Sequence, residues 1–267
     1  RRIKILLFGL KLRKHRPDII IPYLNPPSII ANISYKIAGA KTTFWHHRGP
    51  DYYRDDSIEA VAVKRTKKFI ANSPDGKAEL IDRFNLSKND CFFLPNFSTV
   101  SSINSLKNIP ELNRIKGKRI IGMIGHFRQE KLQSILVESF MKLIKENTGI
   151  HLVLVGNIDQ NKQEKSNFSD VIRIIEENNL KENVTILHNK SAKDVLPYFD
   201  FGVLVSKKEG MPNVIMEYMS YNLAVICTNH EGCKSLLGDK YPYLINNSVD
   251  ELTEKMEFLL NNEKEFN

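Results

Sequence analysis

Residues 205–219, VSKKEGMPNVIMEYM, are typical of an α/β fold, because an apolar strand ends and a helix begins within a few residues. Gly210 lets the backbone approach a ligand closely. A helix that begins near Asn213 directs unpaired backbone N–H groups and the positive end of its dipole towards an anion. Glu209 and Glu217 bracket this predicted anion site, and both can accept hydrogen bonds from ligand hydroxyl groups. The stretch therefore predicts a strand, a ligand-binding turn and a helix.

Outward from this stretch, short apolar strands alternate with amphipathic helices, which is typical of α/β folds with parallel sheets covered by helices. In the second half the predicted strands are 119–124, 151–155, 184–187, 201–205, 224–227 and 243–245, and the predicted helices lie near 132–145, 170–178, 213–221 and 249–260. In the first half the predicted strands are 18–24, 42–45, 69–72 and 91–94, and the predicted helices lie near 3–14, 27–38, 58–68 and 75–84.

A polar stretch at residues 98–118, with clustered Ser and Asn residues and Pro110, interrupts the alternation as an interdomain linker would. The predicted domains are therefore 1–105 and 106–267. Both are predicted to be Rossmann-like αβα domains that face a cleft, where ligands bind at the carboxyl ends of the strands. The chain opens without Met, and a first strand with its glycine turn is not found, so the N-terminal domain is predicted to be incomplete.

The net charge of +8 is unevenly distributed, since residues 1–110 contain 19 Lys and Arg against 9 Asp and Glu, whereas residues 111–267 contain 20 against 22. Clustered cations predict an anionic partner, either a membrane surface or a phosphorylated acceptor. A solvated basic surface is the alternative. The longest apolar stretches are far below the ~20 residues that span a bilayer, and the three cysteines lack metal-ligand spacing. We expect a soluble cytoplasmic protein, peripheral at the inner face of the membrane, without a nucleic-acid partner.

The segment EGMPNVIME at residues 209–217, followed by a matching strand at 224–228, resembles the E-x7-E signature of family 4 retaining glycosyltransferases, which have the GT-B fold. The resemblance implies that Glu209 contacts the donor sugar as a catalytic residue and that Glu217 binds the ribose. It implies that the chain lacks the family's extreme N-terminus and C-terminal helix. It also implies that the segment between the two glutamates holds the sugar and diphosphate of the donor, at Gly210, Met211, Pro212, Asn213 and Val214.

The segment IGMIGHFRQEK at residues 121–131 resembles the first strand and the phosphate loop of the same family's C-terminal domain. Gly125 and Lys131 occupy the family positions, and Lys131 is expected to neutralise the donor diphosphate. His126 stands where the family commonly has Arg, and Arg128 is the alternative source of that charge. Asn96 matches the family's Pro-Asn-Gly, but Phe97 replaces the Gly, so Asn96 is given no catalytic role.

The segment TTFWHHRGP at residues 42–50 places two imidazoles and a guanidinium at a predicted strand end, where the family often has a His. His46 and His47 are the candidates for orienting or deprotonating an acceptor hydroxyl, and which of them matches the family His is open. Arg48 is expected to hold a phosphate or the acceptor. No Asp-x-Asp follows a strand, so no metal or other cofactor is expected.

The resemblance implies retaining transfer of a hexose or related sugar from a nucleoside-diphosphate sugar to an acceptor hydroxyl. The expected acceptor is a lipid-linked or saccharide molecule of bacterial surface polysaccharide or glycolipid assembly. Two alternatives stay open: a nucleotide-sugar epimerase and a non-catalytic subunit that binds sugar nucleotides.

Overall fold

A computed structural model describes residues 2–49, 53–54, 56–97, 107–158 and 162–262, without the side chains of residues 2 and 162–166. The chain divides into two compact units. The first unit comprises Arg1–Asn96 and Glu209–Met211, and the second comprises Phe97–Lys208 and Pro212–Asn267. The predicted α/β class with parallel sheets is confirmed. The domain boundary predicted between residues 105 and 106 lies outside the described residues.

Within the described residues, the second unit has six strands in one fully parallel sheet with the order β11-β10-β9-β6-β7-β8. Its strands are β6 (Arg119–Ile124), β7 (Ile150–Val155), β8 (Val184–Leu187), β9 (Phe201–Leu204), β10 (Ala224–Thr228) and β11 (Leu244–Ile245). Its helices are α5 (Pro110–Asn113), α6 (Gln133–Leu143), α7 (Lys162–Glu177), α8 (Ala192–Val195), α9 (Asn213–Ser220), α10 (Glu231–Leu237) and α11 (Val249–Asn261).

Buried central strands and amphipathic helices form the core of the second unit. Every residue of β7 and of β9 is buried, as expected for parallel strands that are covered on both faces. The helices α6 and α11 bury apolar stripes that include Leu136, Phe140, Leu252 and Met256.

The first unit has a two-stranded parallel sheet, β1-β2, and a three-stranded parallel sheet, β3-β4-β5, around a core that includes Trp45, Phe69 and Leu80. Its strands are β1 (Ile19–Ile20), β2 (Thr42–Thr43), β3 (Trp45–His47), β4 (Phe69–Ala71) and β5 (Cys91–Phe93), and its helices are α1 (Arg2–Arg13), α2 (Asn25–Ser34), α3 (Ser57–Arg65) and α4 (Pro74–Phe84). No helix in the described part of the chain is long and apolar enough to cross a bilayer.

The strand predicted at 18–24 is wrong for most of its length, because only Ile19–Ile20 form a strand. Leu24 adopts a left-handed φ of 73°, and α2 begins at the next residue with prolines in its first turn, a favoured position. The strand predicted at 42–45 is divided between β2 and β3, which belong to different sheets. The helix α7 begins at Lys162 rather than at residue 170, and α10 had not been predicted.

His151 is a buried histidine on β7, and its Nε2 lies 2.8 Å from Thr185 Oγ1. Burial lowers its pKa from 6.5 to about 4, with a smaller contribution from Lys118. The neutral ring is therefore part of the folded core.

We expect the free energy of unfolding to fall as the pH drops from 6.5 to 4, because in this range the unfolded chain binds a proton at His151 and the folded chain does not. The loss is at most about 3 kcal/mol. In urea unfolding, His151→Asn should flatten this part of the pH profile, whereas the same change at the exposed His15 should not. Equal pH slopes for the wild type and both variants would contradict the prediction.

Candidate functional site

The strand order of the second unit marks one place on its sheet for a ligand. The chain progresses outwards in one direction through β6, β7 and β8, and in the other through β9, β10 and β11. The order reverses between β6 and β9, and ligands of open parallel sheets bind at the carboxyl ends of the strands at such a point. The loops after β6 and β9 therefore form the candidate site.

Side-chain amides hold the loop after β6, residues 125–132, in shape. The buried Gln133 donates from Nε2 to the carbonyl oxygens of Gly125 (3.4 Å) and His126 (3.1 Å). Asn167 of α7 donates from Nδ2 to the carbonyl oxygen of Arg128 at 2.7 Å. Neither Gln133 nor Asn167 was predicted from the sequence. A side-chain amide that joins a helix to a loop does not follow a regular spacing in the sequence, so no sequence pattern predicts it.

Lys131 links this loop to the end of β9. It forms an isolated antiparallel bridge with Ser206, and a Cβ added to Gly125 would lie 3.7 Å from Lys131 Cε. The aliphatic part of the Lys131 side chain therefore lies over the end of β6. Arg128 and His126 are exposed on the same loop. The loop brings together all four residues that the sequence predicted for it: Gly125, His126, Arg128 and Lys131.

The end of β9 is fixed from the neighbouring elements. The carbonyl oxygen of Ser206 accepts hydrogen bonds from His230 Nε2 at 2.8 Å and from Asn247 Nδ2 at 3.1 Å. The Ser206 N–H donates to Thr228 Oγ1 at 3.1 Å. The helix α9 begins soon after this strand end, and Pro212 provides no side-chain cap for its first turn. Asn213 and Val214 therefore open α9 as predicted.

Glu217 lies on α9 and is half-buried, and burial raises the pKa of its carboxyl group. Among the described residues, its carboxylate has no hydrogen-bond or ion-pair partner. The adjacent Tyr218 is fully buried, and its hydroxyl accepts a hydrogen bond from the Ile124 N–H at 2.9 Å. Tyr218 thus anchors α9 beside the end of β6, and Glu217 remains available for a ligand.

We expect Glu217→Gln to raise the thermal stability of the ligand-free chain at pH 7. A raised pKa means that the folded state holds the proton more tightly, so the ionised carboxylate costs stability above the ordinary pKa of 4.5. The gain should vanish below pH 4.5, where both states are protonated. Thermal unfolding at pH 7 and pH 4 measures it, with the exposed Glu257→Gln as the control. A destabilised Glu217→Gln at pH 7 would contradict this assignment.

In the first unit, His46 and His47 are both buried on β3. His47 Nδ1 lies 3.3 Å from the Tyr53 hydroxyl, and its Nε2 lies 3.9 Å from Glu79 Oε2. The ring of His46 packs against Tyr23, with the centroids 4.9 Å apart. Neither imidazole is on an open surface, which the sequence did not indicate.

The first unit also contains residues 209–211, of which Met211 is buried and Glu209 and Gly210 are half-buried. Gly210 packs closely, since an added Cβ would lie 3.0 Å from Gly49 Cα. Asn96 donates from Nδ2 to the Met211 carbonyl oxygen at 3.3 Å and accepts from Arg48 Nη2 at 2.6 Å. Asn96, to which the sequence analysis gave no catalytic role, thus connects Arg48 with this segment. The sequence feature that points to Asn96 is the Pro-Asn pair at 95–96.

No group of three or more His, Cys, Asp or Glu side chains that could hold a metal ion occurs among the described residues.

The family described as glycosyl transferases group 1 matches the chain over residues 104–267, more than half of its length. The chain belongs to this family. It is 25% identical over 245 residues to an uncharacterized glycosyltransferase of Methanocaldococcus jannaschii, covering 84% of the chain and 58% of that protein. It is 26% identical over 172 residues to the N-acetylgalactosamine-N,N'-diacetylbacillosaminyl-diphospho-undecaprenol 4-alpha-N-acetylgalactosaminyltransferase of Campylobacter jejuni, covering 64% of the chain and 44% of that protein. The chain thus spans about half the length of these relatives.

Solved structures support the fold of this member of the family. The structure of Anabaena Alr3699/HepE in complex with UDP and glucose matches with a TM-score of 0.79 and 17% identity, over 98% of this chain and 73% of that chain. A UDP-forming trehalose-phosphate synthase of Burkholderia vietnamiensis matches with a TM-score of 0.78 and 12% identity, over 96% of this chain and 70% of that chain. These neighbours are GT-B glycosyltransferases, so the predicted fold class is confirmed.

Proposed function

We propose that this chain is part of a retaining glycosyltransferase of family 4, with the E-x7-E signature, that moves a sugar from a nucleoside-diphosphate sugar to an acceptor hydroxyl. One observation carries the proposal. The loop of Arg128 and Lys131 lies at the strand ends where the sheet order of the second unit reverses. On α9, the half-buried Glu217, which has no hydrogen-bond or ion-pair partner among the described residues, stands next to Tyr218, and the Tyr218 hydroxyl contacts the end of β6. Cations and a carboxylate acceptor suit a diphosphate and a ribose, respectively.

In this proposal the donor diphosphate is neutralised by Lys131 and Arg128 and by backbone N–H groups at the start of α9. The donors there are the amides of Asn213 and Val214, preceded by those of Gly210 and Met211. Pro212 has no N–H, so it shapes the turn but donates nothing. Because these groups carry the required positive charge, the proposal needs no metal ion.

Glu209 is the proposed catalytic carboxylate, in contact with the donor sugar. Positive charge develops at the anomeric carbon as the diphosphate leaves, so a carboxylate at this position acts mainly in the transition state. His46, His47 and Arg48 are assigned to the acceptor side. The ring of His47 is buried, contacts the Tyr53 hydroxyl and lies near Glu79, so it is placed to orient neighbouring groups. Arg48 offers a guanidinium that can bind a phosphate.

The proposed acceptor is a lipid-linked or saccharide molecule of bacterial surface polysaccharide or glycolipid assembly, at the cytoplasmic face of the membrane. The name of the Campylobacter jejuni relative includes diphospho-undecaprenol, a lipid-linked substrate group of that protein. The basic first half of this chain fits an anionic acceptor of the same chemical class.

Incubation of the chain with UDP-, GDP- and ADP-sugars, with and without a bacterial lipid extract, tests the proposal. We expect release of one nucleoside diphosphate that increases with the extract. An epimerised donor without any acceptor would indicate the epimerase alternative. Binding of a nucleotide sugar without turnover would indicate a non-catalytic subunit.

We expect anionic liposomes to bind the chain and salt to release it. The helix α1 exposes Ile3, Leu7 and Phe8 together with basic residues that include Lys4 and Lys11. At ~0.15 M salt, screening limits the electrostatic attraction between exposed charges to distances within about 8 Å. Co-sedimentation with phosphatidylglycerol and phosphatidylcholine vesicles at two salt concentrations measures this, and equal binding to both lipids would remove the electrostatic argument.

A further inference from the structure

An apolar groove lies on the first unit, where α1 and α3 both pack against α2. It consists of two hollows of ≈ 420 Å³ and ≈ 220 Å³, and both are lined by Ile5 of α1 and Ile58 of α3. The two hollows are therefore neighbouring parts of one groove, which we name the three-helix groove. None of its lining residues belongs to the candidate functional site.

The wall of the three-helix groove is largely apolar. Residues three and four apart share one face of a helix, and Pro26, Ile29 and Ile33 of α2 line the groove at this spacing. Among the described lining residues, Ser57 is the only uncharged polar one. Sugar hydroxyls and peptide groups would lose water here without gaining hydrogen-bond partners, which is unfavourable. The groove therefore suits an aliphatic chain.

The apolar surface of the groove is open to solvent. Leu6 of α1 and Val61 of α3 both line the larger hollow, and they are 46% and 44% exposed. Leu7 and Phe8 continue the exposed apolar surface along α1. Exposed apolar patches of this kind mark sites of contact with a membrane, a ligand or another protein.

The exposed charges that the structure describes on the three helices are all positive. The helix α1 carries exposed basic residues that include Lys4 and Lys11, and it contains no acidic residue. The helix α2 has no charged residue, and α3 ends with the exposed Lys64 and Arg65. Glu59, the single acidic residue in the three helices, is buried. The groove thus favours an occupant that combines an apolar part with a negative charge.

Arg65 is placed to bind the negative charge at one end of the groove. It lines the larger hollow and is exposed, and its Nη1 donates to the Ile33 carbonyl oxygen at 3.3 Å. Its other N–H groups can bind a phosphate, and it has no ion-pair partner among the described residues. At the other end Arg54 already pairs with Asp56, whose Oδ2 lies 2.9 Å from Arg54 Nε.

The end of the groove at Arg65 lies away from the carboxyl ends of the strands. The helices α1, α2 and α3 end shortly before the strands β1, β2 and β4 begin, so their C-terminal ends lie at the amino ends of these strands. Arg48, by contrast, follows the carboxyl end of β3. A lipid-linked acceptor needs its phosphate near the carboxyl ends, where the proposed transfer takes place. A phospholipid of the membrane has no such constraint.

We propose that the three-helix groove binds the aliphatic tail of an anionic membrane phospholipid, with the phosphate at Arg65 and the neighbouring cations of α1 and α3. Burial of the tail strengthens binding with each methylene group that leaves water, and the guanidinium adds a charge-assisted hydrogen bond. A tail in the groove goes beyond the electrostatic attraction of the basic first half to a bilayer. The inference does not depend on the proposed transferase activity, because no residue of the donor site takes part.

Titration calorimetry with three kinds of probe tests the inference. The probes are lysophosphatidylglycerols of increasing tail length, each below its micelle concentration, glycerophosphoglycerol, which lacks the tail, and monoacylglycerols, which lack the phosphate. We expect the Kd of lysophosphatidylglycerol to fall about fourfold for each added methylene that the groove buries. Glycerophosphoglycerol should bind at least about 100-fold more weakly than the longest of these lipids.

Variants of exposed residues locate the binding site. Val61→Trp should weaken binding of lysophosphatidylglycerol and monoacylglycerol at least about tenfold, because an indole in the groove displaces several methylene groups of the tail. Leu7→Trp adds the same indole to an exposed position of α1 that does not line the groove, so it should bind both lipids as the wild type does. Arg65→Gln should weaken lysophosphatidylglycerol about tenfold and leave monoacylglycerol unchanged. The exposed Lys240→Gln is the control for a lost charge.

Four results would overturn the inference. They are a Kd that does not depend on tail length, and wild-type lipid binding by Val61→Trp. Tighter binding of farnesyl phosphate than of every lysophosphatidylglycerol would assign the groove to an isoprenoid-linked acceptor instead. A dimer that Val61→Trp dissociates and Leu7→Trp does not would assign it to a second copy of the chain. None of these results concerns the release of a nucleoside diphosphate, so the failure of this inference is distinguishable from that of the proposed function.

Discussion

Glu209→Gln is expected to lower kcat at least about 100-fold while it changes the donor KM less than about threefold. A group that stabilises charge developing in the transition state contributes to turnover and little to ground-state binding, and the loss of one such group typically costs 10²- to 10³-fold in rate. Gln keeps the size of Glu and one of its two acceptor oxygens, but it replaces the other oxygen with an NH2 donor and removes the charge. The half-buried segment of Glu209 packs against Gly49 through Gly210, so the substitution should not change the fold.

Steady-state kinetics with the donor varied at saturating acceptor measures this effect. The exposed Glu257→Gln on α11 is the matched control and should retain wild-type kinetics. A Glu209→Gln enzyme with the kcat of the wild type would remove Glu209 from the catalytic machinery.

Glu217→Gln is expected to raise the donor KM about 10- to 100-fold and to leave kcat within about threefold. A hydrogen bond to a charged group contributes about 1.5 to 3 kcal/mol, and a ribose contact is equally strong in the ground and transition states, so its loss appears in KM. The wild-type donor affinity should also fall at acidic pH as the raised pKa of Glu217 is approached and the carboxylate gains a proton.

Titration with the nucleoside diphosphate alone distinguishes this role from a catalytic one. The Kd should rise by the same factor as the donor KM in Glu217→Gln and should not change in Glu209→Gln. An unchanged nucleotide Kd in Glu217→Gln would contradict the ribose assignment.

The parallel sheet of the second unit was predictable because its strands are short apolar runs between amphipathic helices. All six predicted strands of this unit are present, and each of their ends agrees with the prediction within one residue. The first unit was harder to predict. Residues 18–24 look like a buried strand, but Leu24 turns left-handed and the following Asn-Pro-Pro sequence begins a helix. A local apolar pattern carries no information on where such a turn occurs.

The polar residues that shape the site were less predictable than those that could contact a ligand. Lys131 lies in the loop that follows a predicted strand, and Glu217 is the second glutamate of the E-x7-E segment. Their positions could therefore be inferred from the sequence. Gln133 and Asn167 hold the loop after β6 from helices α6 and α7, and His188 contacts the Gly156 carbonyl oxygen from a different loop. Burial of the His46 and His47 rings depends on packing. Such tertiary contacts have no spacing rule.

The anomeric configuration of the product shows whether the sugar is transferred with retention from the proposed donor site. The chain is incubated with the α-linked nucleotide sugar that it consumes and with its acceptor, and the first product is analysed by proton NMR before any anomerisation. Retaining transfer at the proposed donor site predicts an α-linked product together with an equimolar amount of nucleoside diphosphate, neither of which Glu209→Gln forms at a comparable rate. A β-linked product, or equal rates for the wild type and Glu209→Gln, would contradict the account.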